Sequence, residues 1–239
     1  MSRAKAATQA ECTLPQAPVN LIMDTTYFGR KWGVMVLYDA ISKRALPVLE
    51  VKNETIERYR QEVAALQERG VVIQSIICDD KSGLLGSFLD IPVQICQFHQ
   101  IKIIVRHLTR KPKSPVAQAL RALSLTLTES PQAESPQAAF EAALKRWYEQ
   151  YAAFLNERSV NEKTGHSHYT HKRLRAAYNS LKRHLPWLFT CEHFPDLGIP
   201  NTTNLLEGKF SEMKQLLRCH RGLKKERKLR FIKDYFSKK

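Results

Sequence analysis

The chain has 239 residues, enough for one large domain or a domain with an insertion, and enough to bury a core without covalent staples. Lysine and arginine number 38 against 23 aspartates and glutamates, a formal net charge of +15 that points to a polyanionic partner, nucleic acid first. Cys12, Cys78, Cys96, Cys191 and Cys219 are odd in number and widely spaced, against a disulfide framework; with no apolar leader and no run approaching the roughly 18 apolar residues of a bilayer span, a soluble cytoplasmic protein is expected.

Residues 1–19 are polar and aperiodic and are expected to form a flexible N-terminus. Three β-like runs follow at 20–27, 32–39 and 45–51, and their short links predict an antiparallel meander. Asn53 reads as the N-cap of a helix with Ile56, Tyr59, Val63 and Leu66 on one face and Gly70 as its stop. The run 71–78 is almost continuously apolar, as in a strand covered on both faces, and ends abruptly in Asp79-Asp80. A short helix at 82–89, a fifth strand at 92–96 and an amphipathic helix at 98–108 complete a first part spanning 20–113. This order belongs to an α/β, ribonuclease H-like mixed sheet flanked by helices.

From 114 to 195 the pattern is helical, with Ser-Pro pairs suited to helix starts and helices expected over 137–157 and 169–185. An all-helical insertion thus interrupts the sheet domain before its last helix. Within it, Glu-Ser-Pro-Gln-Ala at 129–133 is repeated at 134–138, which reads as a slippage duplication in a helix connection. The last helix of the core lies in 196–222; Asn201 or Asn204 can cap it, Leu206, Phe210, Met213 and Leu217 form its buried stripe, and Glu207 sits at the stripe's edge. Residues 223–239 read as a basic C-terminal tail.

Asp24 interrupts an apolar strand, where an unpaired carboxylate costs several kcal/mol, so something must compensate it. Asp79 closes the fourth strand, which in a ribonuclease H-like sheet lies beside the first, and Glu207 arrives from the helix against that edge. Adjacent carboxylates raise one another's pKa unless a cation intervenes, and hard oxygen donors favour Mg²⁺ or Mn²⁺. Two such ions about 3.5 to 4 Å apart would serve an in-line phosphodiester displacement, whether hydrolysis or strand transfer. Taken singly, Asp24 is equally a strand carboxylate with backbone partners, and Glu207 a residue favourable to the helix dipole.

Met23-Asp24-Thr25-Thr26-Tyr27, the stretch from Cys78-Asp79-Asp80 to Leu84, Gln94 to His99, and Asn201 to Gly208 together resemble the mutator-like DDE transposases of bacterial insertion sequences. The resemblance covers nearly everything from Val19 to Gly222. It implies a metal-dependent enzyme that cuts DNA at element ends and joins it to a target, working as a homodimer or larger assembly. It puts the metal-binding catalytic roles on Asp24, Asp79 and Glu207; Asp80 stands where the family has glycine, so both adjacent aspartates stay candidates. Cys96 and His99 match a Cys-x-x-His pair that suggests a site accessory to strand transfer; spacing alone equally allows a buried cysteine and a helix-start histidine, and two ligands fall short of a structural zinc site. The helical insertion implies contacts with DNA ends and a partner subunit. An N-terminal DNA-binding domain is also implied, and only 1–19 precede the first strand, so a catalytic fragment, a truncated copy or another mode of DNA recognition is expected.

Arg218, His220, Arg221, Lys224 and Lys225, following the glutamate helix, are the candidate DNA-binding residues, or else a solvated helix end. His166, His168 and His171 read as surface histidines, and Trp147, Tyr148, Tyr151 and Phe154 as core. Two further readings stand beside the transposase: a ribonuclease H-like nuclease or resolvase, and a catalytically silent, transposase-derived DNA-binding protein.

Overall fold

A computed structural model describes residues 15–81, 83–128, 136–220 and 222–237. Three antiparallel strands come first, β1 (Val19–Phe28), β2 (Trp32–Asp39) and β3 (Arg44–Val51). Helix α1 (Ile56–Glu68) crosses to β4 (Ile73–Cys78), which pairs parallel with β1, and β5 (Val93–Ile95) adds parallel to β4. The sheet order is β3-β2-β1-β4-β5, a mixed five-stranded sheet flanked by helices, as expected from the order of elements.

Strand alternation gives this sheet two apolar faces. Leu21, Met23, Met35, Leu37, Ile76 and Cys78 face the larger core, which is completed by α1, α2 (Gln97–Leu108), α3 (Pro115–Leu125), α4 (Pro136–Asn156) and α5 (Lys172–Leu188). Ile22, Val34, Val36, Tyr38 and Ile77 face the smaller one, closed by α7 (Asn204–Cys219) and α8 (Lys225–Ser237). A single turn, α6 (Thr190–His193), lies between α5 and α7.

Several expectations need correction. The segment after residue 114 is not all-helical: β6 (Arg158–Val160) and β7 (Ser167–Tyr169) form a hairpin. Asn161 makes it, its side chain accepting the N–H of Lys163 at 2.9 Å, while Gly165 takes a left-handed φ of 68° that closes the turn. Residues 225–237 are not a tail but a helix. Leu229, Ile232 and Phe236 recur at helical spacing and pack under the sheet, so the basic residues are its solvent face. The expected helix at 82–89 is a series of turns, broken by Gly83 at φ 85° and by Gly86. Thr55 replaces Asn53 as the cap of α1, its hydroxyl accepting the N–H of Arg58 at 3.2 Å. Neither asparagine caps α7, whose N-cap is Thr203. Ser114 does cap α3, as expected, with Pro115 at the first helical position. The N-terminal stretch to residue 14, most of the duplicated segment (129–135), Ser82 and Arg221 lie outside the described residues.

Candidate active site

Along β1 Asp24 shares strand parity with Ile22, which places it on the α7 side of the sheet. The parallel register pairs Leu21 with Ile76 and Ile22 with Ile77; carried two residues forward, the same offset sets Asp79, just past the end of β4, level with Asp24 in the middle of β1. Each aspartate has one short backbone contact: Asp24 accepts the Thr25 N–H at 2.7 Å, and Asp79 accepts the Lys81 N–H at 3.2 Å. Asp24 feels the charges of Asp79 and Glu207, whereas the charge of Asp80 is felt by His184 on α5. Of the adjacent pair, Asp79 is the one that shares the neighbourhood of Asp24.

Glu207 is carried there by a chain of buried polar contacts. Asn20, buried in β1, donates to the carbonyls of Leu197 and Gly198 at 2.8 and 3.0 Å and accepts from Ser75 at 2.7 Å, which ties the segment leading into α7 to the sheet. The Gln97 N–H donates to the Asn201 carbonyl, and the Asn201 amide donates back to the Gln97 side chain, both at 3.0 Å. Thr203, fully buried, gives its N–H and its hydroxyl to the Cys96 sulfur at 3.3 Å each. These contacts join residues 55 to 178 positions apart and fix where the first turn of α7, with Glu207, meets the first turn of α2.

The electrostatics are those of a carboxylate group held away from water. Burial, together with the nearby charges of Asp79 and Glu207, pushes Asp24 up to about 7, although His99 and the Thr25 N–H pull the other way. Burial also raises Asp79, helped by Glu54 and Asp80 and opposed by His99 and the Lys81 N–H. For Cys96, burial favours the thiol, but the hydrogen bonds from His99 and Thr203 outweigh it and the sulfur is held below its ordinary value. For His99, burial favours the neutral ring, but Cys96 and Glu207 prevail and its pKa rises. Each of Cys96 and His99 thus stabilises the charged form of the other.

Glu207 turns toward cations of the chain itself. Lys102 Nζ lies 3.0 Å from Oε2, and His99 Nε2 lies 3.4 Å from Oε1. Among the described residues, the group of three metal-capable side chains whose ligand atoms all lie within 4.8 Å of one another is Cys96, His99 and Glu207, without the aspartates. The donor chemistry of Asp24 and Asp79, desolvated and mutually repelling, fits a hard divalent cation; Glu207 lies within the field of Asp24 but is itself paired with Lys102.

Sequence reasoning missed four contributors. Lys102 stands three residues after His99 and Lys214 seven after Glu207, spacings that put each on the same helix face as its partner and so were legible. Lys214 is half-buried, which lowers its pKa against the opposing pull of Asp24. Glu54 and Tyr59 had no local signal. The Tyr59 hydroxyl donates to Glu54 at 2.7 Å and meets Thr25 Oγ1 at 2.9 Å, a network that braces the residue beside Asp24. Lys81 reaches the same Glu54 at 3.4 Å.

The described candidate DNA-binding residues, Arg218, His220, Lys224 and Lys225, lie from the end of α7 to the start of α8. Arg218, His220 and Lys224 are exposed, whereas Lys225 is engaged within the fold by an ion pair with Glu50 of β3. His171 stacks on Phe154 and pairs with Glu157 at 2.8 Å, and Trp147 is buried, in keeping with structural roles.

The family described as "Transposase, Mutator family" matches this chain over residues 42–176, an interval that holds Asp79, Cys96 and His99 and leaves Asp24 and Glu207 outside it. No curated protein matches the sequence. Among solved structures, similarity is found to a chain of the cryo-EM structure of the simian T-cell lymphotropic virus intasome in complex with PP2A regulatory subunit B56 gamma. The identity is 13% and the TM-score 0.27, over 67% of this chain and 55% of that one, so this chain spans little more than half the length of that relative.

Proposed function

Because the chain belongs to the Mutator family of transposases, we propose that it is the ribonuclease H-like catalytic core of a DDE transposase, which cuts DNA at insertion-sequence ends and joins the freed 3′-hydroxyl to target DNA. The observation that carries this reading is the convergence of Asp24, Asp79 and Glu207 from β1, β4 and α7, with the desolvated Asp24 in the field of the other two.

In this reading Asp24, Asp79 and Glu207 hold two Mg²⁺ or Mn²⁺ ions. When bound, these ions acidify a water or 3′-hydroxyl and stabilise the oxygen that leaves in an in-line displacement. The chain's own groups do the rest. The Thr25 and Lys81 N–H groups aim the two aspartates, and the Glu54–Tyr59–Thr25 network keeps the end of β1 from moving. Thr203 and Cys96 set the pitch of α7 and so the position of Glu207. Lys102 and Lys214 supply positive charge on either side of the carboxylates for the scissile phosphodiester. Arg218, His220, Arg221 and Lys224 hold the DNA backbone, with Lys225 joining them only on leaving its ion pair with Glu50, and element ends and target are brought together by a homodimer or larger assembly. No helix among the described residues is long and apolar enough to cross a membrane.

The test is strand transfer from pre-cut inverted-repeat ends into a plasmid, in Mg²⁺ or Mn²⁺. Joined products are expected from the parent and from Asp80→Asn, and none from Asp24→Asn, Asp79→Asn or Glu207→Gln. Products that survive Asp24→Asn or Glu207→Gln overturn the mechanism. Nicking without joining favours the nuclease or resolvase, and binding without nicking favours the silent DNA-binding protein.

A further inference from the structure

Cys96, His99 and Glu207 bring a sulfur, an imidazole nitrogen and a carboxylate oxygen together from two elements, the start of α2 and the first turn of α7. We propose that these three side chains form a binding site for one thiophilic divalent transition metal of the zinc class, separate in its chemistry from the hard-ion carboxylates. The spacing suits such an ion. Bonds of about 2.0 to 2.3 Å in a tetrahedron put ligand atoms roughly 3.3 to 3.7 Å apart, and His99 Nε2 and Glu207 Oε1 are already 3.4 Å apart. All three ligand atoms lie within 4.8 Å of one another, about an ångström beyond that spacing at most. The donor set also selects the metal, because thiolate and imidazole favour Zn²⁺, Co²⁺ or Cd²⁺ over Mg²⁺.

Surrounding contacts keep the ligands in place. The two Thr203 hydrogen bonds orient the Cys96 sulfur, and Lys102, on Glu207 Oε2 at 3.0 Å, is positioned to orient the carboxylate while Oε1 serves as ligand. Lys102 also touches Oε1 at 3.2 Å and must move off it; its side chain is 46% exposed and free to do so. His99 and Glu207 are 22% and 26% exposed, so solvent reaches the fourth position, as in open three-ligand sites. Binding exchanges protons for the ion: the proton shared by the Cys96–His99 pair leaves as the sulfur–metal and nitrogen–metal bonds form. One consequence rests on the transposase reading above, namely that an ion held here takes Glu207 from the aspartates and so inhibits Mg²⁺-dependent joining.

The test uses the metal-free, reduced full chain titrated with Co²⁺. One equivalent is expected to give sulfur-to-cobalt charge-transfer absorption that Zn²⁺ removes and millimolar Mg²⁺ does not. Cys96→Ser should abolish the absorption and Cys219→Ser should keep it. His99→Gln, which leaves the Thr203–Cys96 contact in place, should weaken Co²⁺ binding by more than about 100-fold. Absorption that never develops, that survives Cys96→Ser, or that is unchanged in His99→Gln overturns the site. A chain that joins DNA in Mg²⁺ but shows no thiolate–cobalt absorption loses this site alone; a chain that shows the absorption but never joins DNA keeps the site and loses the transposase reading.

Discussion

Glu207 lies between two groups of polar side chains with opposite histories of compensation. On one side, Asp24 in β1 and Asp79 just past the parallel β4 have one backbone N–H contact each, and burial drives both toward their neutral forms. On the other, Cys96 and His99 satisfy each other, and Thr203 gives the sulfur two further donors. The aspartates stay raised despite the opposing pull of His99 on both, so they call for a further cation, whereas Cys96, His99 and Thr203 hydrogen-bond one another and knit two helices together. A buried charge left unbalanced is the sharper mark of a ligand site.

The largest expected effect tests that imbalance. Asp24 rises from its usual 3.8 to about 7 in the folded chain. Above about pH 4 the unfolded chain gives up this proton while the folded chain keeps it, so stability falls as pH rises toward 7 and is then flat. At about 1.36 kcal/mol per pH unit the gap amounts to on the order of 4 kcal/mol. Asp24→Asn should therefore lower joining by about 10³-fold or more, yet stabilise the metal-free protein near pH 7.5 relative to the parent and by little at pH 4.5. Urea unfolding in EDTA at the two pH values measures it, and saturating Mg²⁺ should close the gap at pH 7.5. A parent and variant with parallel pH profiles would mean that Asp24 is compensated internally after all.

Next in size is the tether of α7. Asn20→Ala removes two donated and two accepted hydrogen bonds in a fully enclosed setting and leaves the Leu197 and Gly198 carbonyls with fewer partners. A loss of about 3 kcal/mol is expected in chemical denaturation. Thr203→Val is subtler: it keeps the volume and the N–H contact and removes the hydroxyl, with its bond to Cys96 and its longer contacts to His99 Nδ1 and Glu207 Oε1 at 3.5 and 3.4 Å, so about 1 kcal/mol is expected. If Thr203 positions Glu207, that variant should lose joining activity out of proportion to its stability, with the Mg²⁺ requirement displaced upward; a change confined to the melting temperature would assign it to packing alone.

The two groups also differ in how legible they were. Asp24 and Asp79 stand out because a charge interrupts or ends an apolar run, and the strand order that sets them side by side follows from short links and a right-handed crossover through α1. Cys96 and His99 were noticed through a four-residue motif, but what they touch was hidden, since Thr203 and Glu207 lie more than a hundred residues on and no local pattern predicts that approach. Helix α8 was misread because its charge density masked Leu229, Ile232 and Phe236, and the β6–β7 hairpin because three-residue strands are too short to show alternation. Local rules found the elements; the pairings across long sequence separations came only from packing.

The smallest stability effect concerns Lys102, the cation paired with Glu207. Lys102→Met removes a partly exposed ion pair and should change stability by less than about 1 kcal/mol. Its effect on metal dependence should be larger, because Mg²⁺ and the Lys102 ammonium compete for the same carboxylate. Removing the competitor is expected to lower the Mg²⁺ concentration at the midpoint of a direct binding titration by calorimetry. An unchanged midpoint would show that Lys102 leaves Glu207 at no cost whenever a metal arrives, and that the aspartates alone decide the affinity of the centre.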